Sequence, residues 1–212
     1  MEFVRRVVMC PDYTWEDLKL AAMDGYLNSI VVSGDYIPLV LKNGEDVGLD
    51  VGQDETGKTF FIFHKTLREY RPMYDRLTQG SVVYLDSNIR RWINEEVFNN
   101  LLPDDLKEVI SPTSMRQEID GVAHSFSDRL FLLSQTQVFG SGNQWCLEPE
   151  DSQIDIFRDP AYRRKVDTDD HLSYWWLRSA SSASHFRLVT SGGSFGNRSA
   201  YSDYGVALGF CL

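Results

Sequence analysis

Clusters of β-branched and aromatic residues separated by turn formers predict strands in the first third of the chain. Phe3–Cys10 contains Val4, Val7 and Val8, which favour a strand. Farther along, Asn43-Gly44 lies between two β-rich runs and is a strong hairpin signal. Thr59–Phe63 follows a further turn at 54–57, and this succession of strands predicts a β-meander.

Apolar positions at helical spacing predict several short helices. Thr14 and Asp17 resemble a capping box at the start of a helix that ends near Gly25. A second predicted helix is capped by Ser87 and has Ile89, Trp92, Ile93 and Val97 on one face. A third begins with Pro103, and a single helical turn ends at Gly140. A weaker helix is predicted at Ile154–Val166, where Pro160 interrupts it.

The last forty residues show a different pattern. Tyr174–Leu177 and Gly205–Leu212 are apolar and predict core strands, as does the stretch Asp128–Ser134 earlier in the chain. Between the two C-terminal strands lies a polar segment rich in serine and glycine. The whole pattern predicts one α+β domain spanning residues 1–212, in which 1–85 form a helix and meander portion.

The charge of the chain narrows the classes of function. The formal net charge is −10 and the calculated pI is about 4.8. No run of Lys and Arg provides the basic face that nucleic-acid binding requires, so no nucleic-acid partner is expected.

Cysteine spacing and hydropathy add further expectations. The wide spacing of Cys10, Cys146 and Cys211 favours free buried thiols over disulfides or a zinc site. No apolar run has the length of a membrane span, and the N-terminus does not resemble a secretory signal, so membrane insertion is not expected. The location therefore stays open between the cytoplasm and an assembly such as a virion.

Several motifs carry a resemblance to a known family. The stretches "DRLFLLSQTQVFG", "YWWLRSASS", "HFRLV", "SGGSF" and "GVALGFCL" resemble an uncharacterised family of gut bacteria and their phages that ends in W-W-L-R-S…G-V-x-P-G-F-C. Ala180 and Leu208 stand where that family usually has proline. Such tails resemble those of variable proteins diversified by retroelements, whose ligand-binding module has a C-type lectin fold. The resemblance implies a lectin-like portion at 86–212 with a variable region at about 179–205.

The composition of this region is consistent with diversification. Mutation at template adenines, as in those retroelements, cannot create Lys, Glu, Gln, Met or Trp from an A-A-pyrimidine codon. These five residue types number 34 in the 212-residue chain, but none occurs among the 27 residues from Ser179 to Gly205. If these five residue types were used uniformly along the chain, a stretch of this length without any of them would occur with a probability of about one in a hundred.

The resemblance and the composition together predict a recognition surface. Tyr, His, Phe and Arg provide contact area and Ser, Gly and Asn provide adaptable hydrogen bonds, as in antibody paratopes. The predicted outward-facing contacts are His185, Arg187, Thr190, Phe195, Asn197, Arg198, Tyr201, Asp203 and Tyr204. The predicted framework positions are Phe186, Val189, Gly193, Ser199, Ala200 and Gly205. The expected partner is a protein or glycan on a cell surface.

Other motifs in the chain favour structural interpretations. Trp175 and Trp176 are predicted to lie in the core and not to form a sugar-stacking platform, because their strand is apolar. The family position of Arg178 implies an inward-pointing side chain that hydrogen-bonds loop carbonyls. The acidic stretches Glu148–Asp151 and Asp167–Asp170 lack calcium-site spacing and are expected to be solvated.

No constellation of catalytic residues is apparent, so no enzyme activity, metal or cofactor is expected. A virion assembly protein whose tail packs on a partner is the second hypothesis. An enzyme of the formylglycine-generating type, which shares the lectin-type fold and uses paired cysteines, is the third.

Overall fold

A computed structural model of the chain describes residues 13–77 and 80–212. About a quarter of the chain is helical and nearly a third is strand, which confirms the α+β class. The predicted strand Phe3–Cys10 lies outside the described residues. The sequence also predicts that this strand and the C-terminal strand lie in one sheet or in adjacent sheets, and this stays a prediction.

The helices are short, and side chains cap several of their ends. They are α1 (Trp15–Met23), α2 (Leu27–Ile30), α3 (Asn88–Trp92), α4 (Asp104–Val109) and α5 (Gln135–Phe139). The predicted capping box is present at α1, because the Thr14 hydroxyl accepts from the Asp17 amide at 3.1 Å and the Asp17 carboxylate accepts from the Thr14 amide at 2.7 Å. A second capping box joins Ser134 and Gln137, and Gly140 ends α5 in the left-handed conformation.

The helix predicted from Ser87 changes its geometry part of the way along. Ser87 caps α3, and the chain then continues as a π-helix from Ile93 to Leu101. Ile89, Ile93 and Val97 are fully buried, so the predicted apolar face packs into the core.

The helix predicted at Ile154–Val166 is wrong. Two short 3₁₀ helices, Asp155–Arg158 and Pro160–Arg163, occupy the segment instead. The Asp159 carboxylate accepts from the Ala161 amide at 2.8 Å, and the Arg163 Nε donates to the Phe157 carbonyl at 2.8 Å. Side-chain bonds to the backbone replace those of a continuous helix here, and Pro160 has no N–H to donate.

Thirteen strands form four sheets within the described residues. The strands are β1 (Tyr36–Ile37), β2 (Leu49–Gln53), β3 (Thr59–Phe63), β4 (Thr113–Ile119), β5 (Val122–Asp128), β6 (Phe131–Leu132), β7 (Cys146–Leu147), β8 (Lys165–Val166), β9 (Leu172–Ser173), β10 (Trp175–Ser182), β11 (His185–Val189), β12 (Phe195–Ser199) and β13 (Leu208–Phe210). The largest sheet is antiparallel, with the order β1-β2-β3-β13-β6. The predicted meander is therefore β1-β2-β3, and the C-terminal strand extends it.

A long hairpin in the middle of the chain was not predicted. Strands β4 and β5 pair across a tight turn in which Asp120 and Gly121 both have positive φ, and β7 pairs with the other edge of β4. The sequence Asp120-Gly121 is itself a recognised hairpin signal. The single strand predicted at Asp128–Ser134 is divided in the structure: Asp128 ends β5, Phe131–Leu132 form β6, and Ser134 caps α5.

The polar segment in the C-terminal region forms regular structure. Strands β10, β11 and β12 make an antiparallel sheet in that order. Trp175, Trp176 and Leu177 at the start of β10 are fully buried, which confirms the core interpretation of the tryptophan pair. The segment therefore extends a core strand outward as a three-stranded sheet.

Candidate ligand-binding face

The pairing of β11 with β12 places four of the predicted contact residues on one face of their sheet. Arg187 lies opposite Asn197, and His185 and Phe195 share their face because side chains alternate along each strand. His185 and Arg187 are half-buried, whereas Asn197 is exposed and Phe195 is 58% exposed. We call this surface the β11–β12 face.

The other predicted contact residues lie elsewhere. Thr190 is in the turn between β11 and β12, where its hydroxyl accepts from the Ser194 amide at 3.2 Å. Arg198 is exposed and lies opposite Phe186 in the register, which puts it on the reverse of the β11–β12 face. The structure therefore divides the predicted set between two surfaces.

The two tyrosines and Asp203 follow β12 in a segment that returns to the core. Asp203 is exposed, whereas Tyr201 and Tyr204 are half-buried and pack against the hydrophobic core. The Tyr204 ring makes an edge contact with Trp176, with their centroids 5.0 Å apart. The expectation that Tyr201 and Tyr204 are purely outward-facing thus needs correction, because part of each ring is a core contact.

The predicted framework positions support this arrangement. Phe186, Val189 and Ala200 are fully buried, and Gly193 and Gly205 are also buried, while Ser199 is half-buried. A Cβ on Gly205 would lie 2.4 Å from the Ser173 hydroxyl oxygen and 2.7 Å from the Tyr174 carbonyl oxygen. Glycine is needed at position 205 because the chain passes too close to β9 and β10 for a side chain.

A chain of aromatic and cationic contacts joins the β11–β12 face to α5. Phe195 makes an edge contact with Phe139 at 5.8 Å between centroids. The Arg187 guanidinium lies over the Phe195 ring at 5.5 Å, and the Arg163 guanidinium lies over Phe139 at 4.9 Å. The cation–π contact with Phe195 holds Arg187 against the sheet, and no carboxylate of residues 13–77 or 80–212 forms an ion pair with it.

A groove lies beside this face. It is lined by Asn143, Gln144, Trp145, Ser181 and Arg187, and its volume is about 620 Å³. We call it the Trp145 groove. Its walls come from two parts of the chain, the 143–145 loop and the neighbouring strands β10 and β11.

Three polar atoms on the side chains that line the groove are buried and have no hydrogen-bond partner in the described residues. They are Trp145 Nε1, Ser181 Oγ and Arg187 Nε. A buried polar group without a partner costs about 1–3 kcal/mol, so most such groups in native proteins are satisfied. Burial also lowers the pKa of Arg187, and no ion pair with a described residue accompanies it.

Asn143 fixes the loop that carries Trp145. Its Oδ1 accepts from the amides of Trp145 and Cys146, both at 3.0 Å. Its Nδ2 donates to Gln135 Oε1 at 3.1 Å and to the Ala180 carbonyl at 3.3 Å. The Asn143 side chain thus ties the loop to α5 and β10, and it sets the position of Trp145 relative to Ser181.

A buried polar network lies under β10. Arg178 is fully buried and donates to the Leu132 carbonyl at 2.9 Å, to Gln137 Oε1 at 2.8 Å and to the Asp151 carboxylate. The inward orientation expected for Arg178 is confirmed. Its acceptors, however, are two side chains and a strand carbonyl and not the expected loop carbonyls.

The acidic stretch beside this network is not solvated as expected. Glu148 is buried and accepts from the hydroxyls of Ser179 and Thr136, the latter at 2.8 Å. Asp151 pairs with Arg178. The prediction of a solvated loop at Glu148–Asp151 is therefore wrong for these two carboxylates, which hydrogen-bond inside the protein.

The second acidic stretch closes a local turn. Asp167 Oδ1 accepts from the amides of Asp169 and His171 at 3.0 Å, and Asp170 pairs with Lys65 at 2.8 Å. Within residues 13–77 and 80–212, no group of three or more His, Cys, Asp and Glu side chains is arranged to hold a metal ion. None of the helices described has the length and apolar character that a bilayer span requires.

Sequence reasoning missed Trp145 and Ser181 as site residues. Trp145 follows the polar stretch "SGNQ", and a large aromatic side chain at the end of such a loop is a signal that could have been used. Ser181 carried no distinguishing signal, because it is one of many serines in its segment. Only the fold brings the two residues together with Arg187.

Comparison with known families gives one match. The model of a family described as a domain of unknown function, DUF6273, matches residues 57–212. Comparisons with curated proteins and with solved structures gave no match.

Proposed function

We propose that this chain, which belongs to the DUF6273 family, is a binding protein that recognises a protein or glycan on a cell surface. Recognition takes place through the β11–β12 face. The 86–212 portion is proposed to be a C-type lectin-like module, and the segment at about 179–205 its diversified region. Phage or prophage origin is part of the same proposal, which rests on the resemblance of the tail motifs.

The observation that carries the proposal is the separation of framework from surface within one hairpin. Phe186 and Leu188 are fully buried, whereas His185 and Arg187, which alternate with them, are half-buried. On the paired strand, Phe195 and Asn197 are exposed. Val189 lies on the same face as Arg187 but is fully buried, so exchange of His185, Arg187 and Asn197 leaves the core contacts in place, as a diversified surface requires.

The first experiment tests binding by this face. His185→Ser, Phe195→Ser and Asn197→Ser are combined in one variant, and binding to bacterial cells and to glycan and protein arrays is compared with that of the unaltered chain. Binding is expected to fall at least tenfold, because aromatic side chains at an interface centre are each worth about 2 kcal/mol. Thermal melting of the variant is measured in parallel.

A matched control carries Leu20→Ser, Met23→Ser and Val40→Ser, which replace three exposed apolar residues outside the β10–β12 sheet. This variant should bind as the unaltered chain does. Equal loss in both variants, or no loss in the first, would place the binding surface elsewhere. An unaltered chain that binds neither cells nor either array would count against the proposal as a whole.

The second experiment tests diversification. The DNA beside the coding sequence is read for a near-copy of the segment encoding residues 179–205 that differs at adenines, together with a reverse transcriptase gene. Their presence supports a diversified tail. Their absence removes the retroelement part of the proposal and leaves the binding face to be tested by the first experiment.

A further inference from the structure

The Trp145 groove brings together donors that lack acceptors. Trp145 Nε1 and Arg187 Nε carry only donor hydrogens, and the Ser181 hydroxyl can donate as well as accept. None of these three atoms is hydrogen-bonded to another of the described residues. These three atoms are themselves buried, so a ligand meets the exposed parts of the same side chains, and a carboxylate offers two acceptor oxygens to the Arg187 guanidinium.

The positive charge of Arg187 favours binding of an anion in the groove, whereas the net charge of the whole chain disfavours it. Arg187 stacks on Phe195 and makes no ion pair with a described residue, so its cation is available to the groove. The net charge of the chain is −10, which opposes the approach of anions in general. Binding of an anion here must come from a local contact with Arg187, whose planar guanidinium matches a carboxylate.

The remaining walls suit a sugar ring. The Trp145 indole is half-buried and gives an apolar surface on which the C–H face of a pyranose can rest. Gln144 is exposed, and its amide can both donate to and accept from ring hydroxyls. Asn143 is excluded from this role because both ends of its amide are used within the protein.

We infer that the Trp145 groove binds the carboxylate of an acidic saccharide, such as a uronic acid, with Arg187 as the ion-pair partner. This inference rests on the proposed function, and it names a ligand class for the surface next to the β11–β12 face. The terminal nitrogens of Arg187 meet the carboxylate, and the Trp145 and Ser181 side chains line the groove beside it.

The groove is lined both by residues of the segment proposed to vary and by residues outside that segment. Ser181 and Arg187 belong to the segment proposed to vary, whereas Asn143, Gln144 and Trp145 lie outside it. The aromatic wall is then constant among diversified copies, while the residue at position 187 sets the charge of the ligand. Copies with a neutral residue at 187 should prefer neutral saccharides.

The test is titration of the ¹⁵N-labelled chain with sodium glucuronate, followed by NMR of the indole and arginine Nε–H signals. The Trp145→Phe and Arg187→Gln variants identify the signals of Trp145 and Arg187. Both signals are expected to shift with glucuronate and to stay in place with glucose or glucuronamide, which lack the carboxylate. Shifts of equal size with glucose would overturn the role of the carboxylate.

Arg187→Gln and Arg198→Gln form a matched pair for affinity. Each removes one positive charge, and the two positions lie on opposite faces of adjacent strands. Arg187→Gln should weaken glucuronate binding by about tenfold or more, the usual effect of losing a charge-assisted hydrogen bond, whereas Arg198→Gln should leave it within about twofold. Equal losses would show diffuse electrostatics and overturn the inference.

A second ligand and cell-binding assays of the variants distinguish failure of the groove inference from failure of the proposed function. If an acetylated glutamate amide shifts the Trp145 signal and glucuronate does not, the groove takes an acidic peptide and the saccharide assignment is wrong. If Arg187→Gln binds cells normally while the His185, Phe195 and Asn197 variant does not, the face stands and the groove inference fails. If glucuronate shifts the groove signals although the face variant still binds cells, the groove stands and the role of the face fails.

Discussion

At the scale of single residues, the main feature is a charge placed inside the protein. Arg178 is fully buried below β10, and its guanidinium makes bonds to β6, to α5 and to the loop that contains Asp151. Removing one member of a buried ion pair leaves the other without compensation, which usually costs more than the pair itself contributes. We therefore expect Arg178 to determine how β10 and its neighbouring loops are joined.

The corresponding prediction is that Arg178→Met lowers the free energy of unfolding by about 3–5 kcal/mol, because Asp151 then lacks its partner. Urea unfolding followed by tryptophan fluorescence measures this change. Arg116→Met, an exposed position on β4, serves as control and should change stability by no more than about 0.5 kcal/mol. A loss below about 1 kcal/mol at Arg178 would contradict the stabilising role of its buried ion pair.

A second prediction at this scale concerns the cysteines. Burial, followed by the charge of Glu148, raises the pKa of Cys146, and burial raises the pKa of Cys211. Because the thiolate is the reactive species, neither thiol should react with Ellman's reagent in the folded protein at mildly alkaline pH. A Cys10→Ser chain isolates the two thiols, both of which should react in concentrated guanidinium chloride. Rapid reaction of the folded chain would contradict their burial.

At the scale of elements, local signals predicted those parts of the chain whose structure is local. Thr14 forms its predicted capping box, and Gly140 ends α5, because both depend on residues within one turn. The helix predicted at Ile154–Val166 failed because its apolar spacing does not reveal that Asp159 and Arg163 bond to the backbone. The groove was missed because Trp145 and Ser181 meet only through the fold.

The segment that follows β12 gives a prediction at this scale. Tyr204→Ser should lower stability by about 2 kcal/mol, since it removes the edge contact with Trp176 and part of the buried ring. Phe195→Ser should cost only about 1 kcal/mol, because that ring is more than half exposed and loses one aromatic and one cation–π contact, each worth about 0.5 kcal/mol at an exposed site. Denaturant midpoints of the two single variants decide the order. Equal costs would show that Phe195 is as much a core residue as Tyr204.

At the scale of the whole molecule, the C-terminal strand joins parts that are far apart in the sequence. Strand β13 lies between β3 and β6, and Phe210 stacks on Phe61 with centroids 5.3 Å apart. Trp15 from α1 makes edge contacts with both rings, at 5.9 Å to Phe61 and 6.3 Å to Phe210. The predicted meander portion, 1–85, and the predicted lectin-like portion, 86–212, thus share one packed cluster.

Because the two portions share this cluster, they are expected to unfold together as a single domain. Phe210→Ala should lower the free energy of unfolding by about 3–5 kcal/mol, the usual cost of removing a buried aromatic ring. Because Phe210 contacts Trp15 of α1 as well as its sheet neighbour β3, the loss should destabilise both portions together. Far-ultraviolet circular dichroism and tryptophan fluorescence should then show one coincident unfolding transition in the variant and in the unaltered chain. Leu172→Ala, at a position 65% exposed, should leave the midpoint nearly unchanged. Two separate transitions, with only one moved by Phe210→Ala, would mean that the two portions unfold independently.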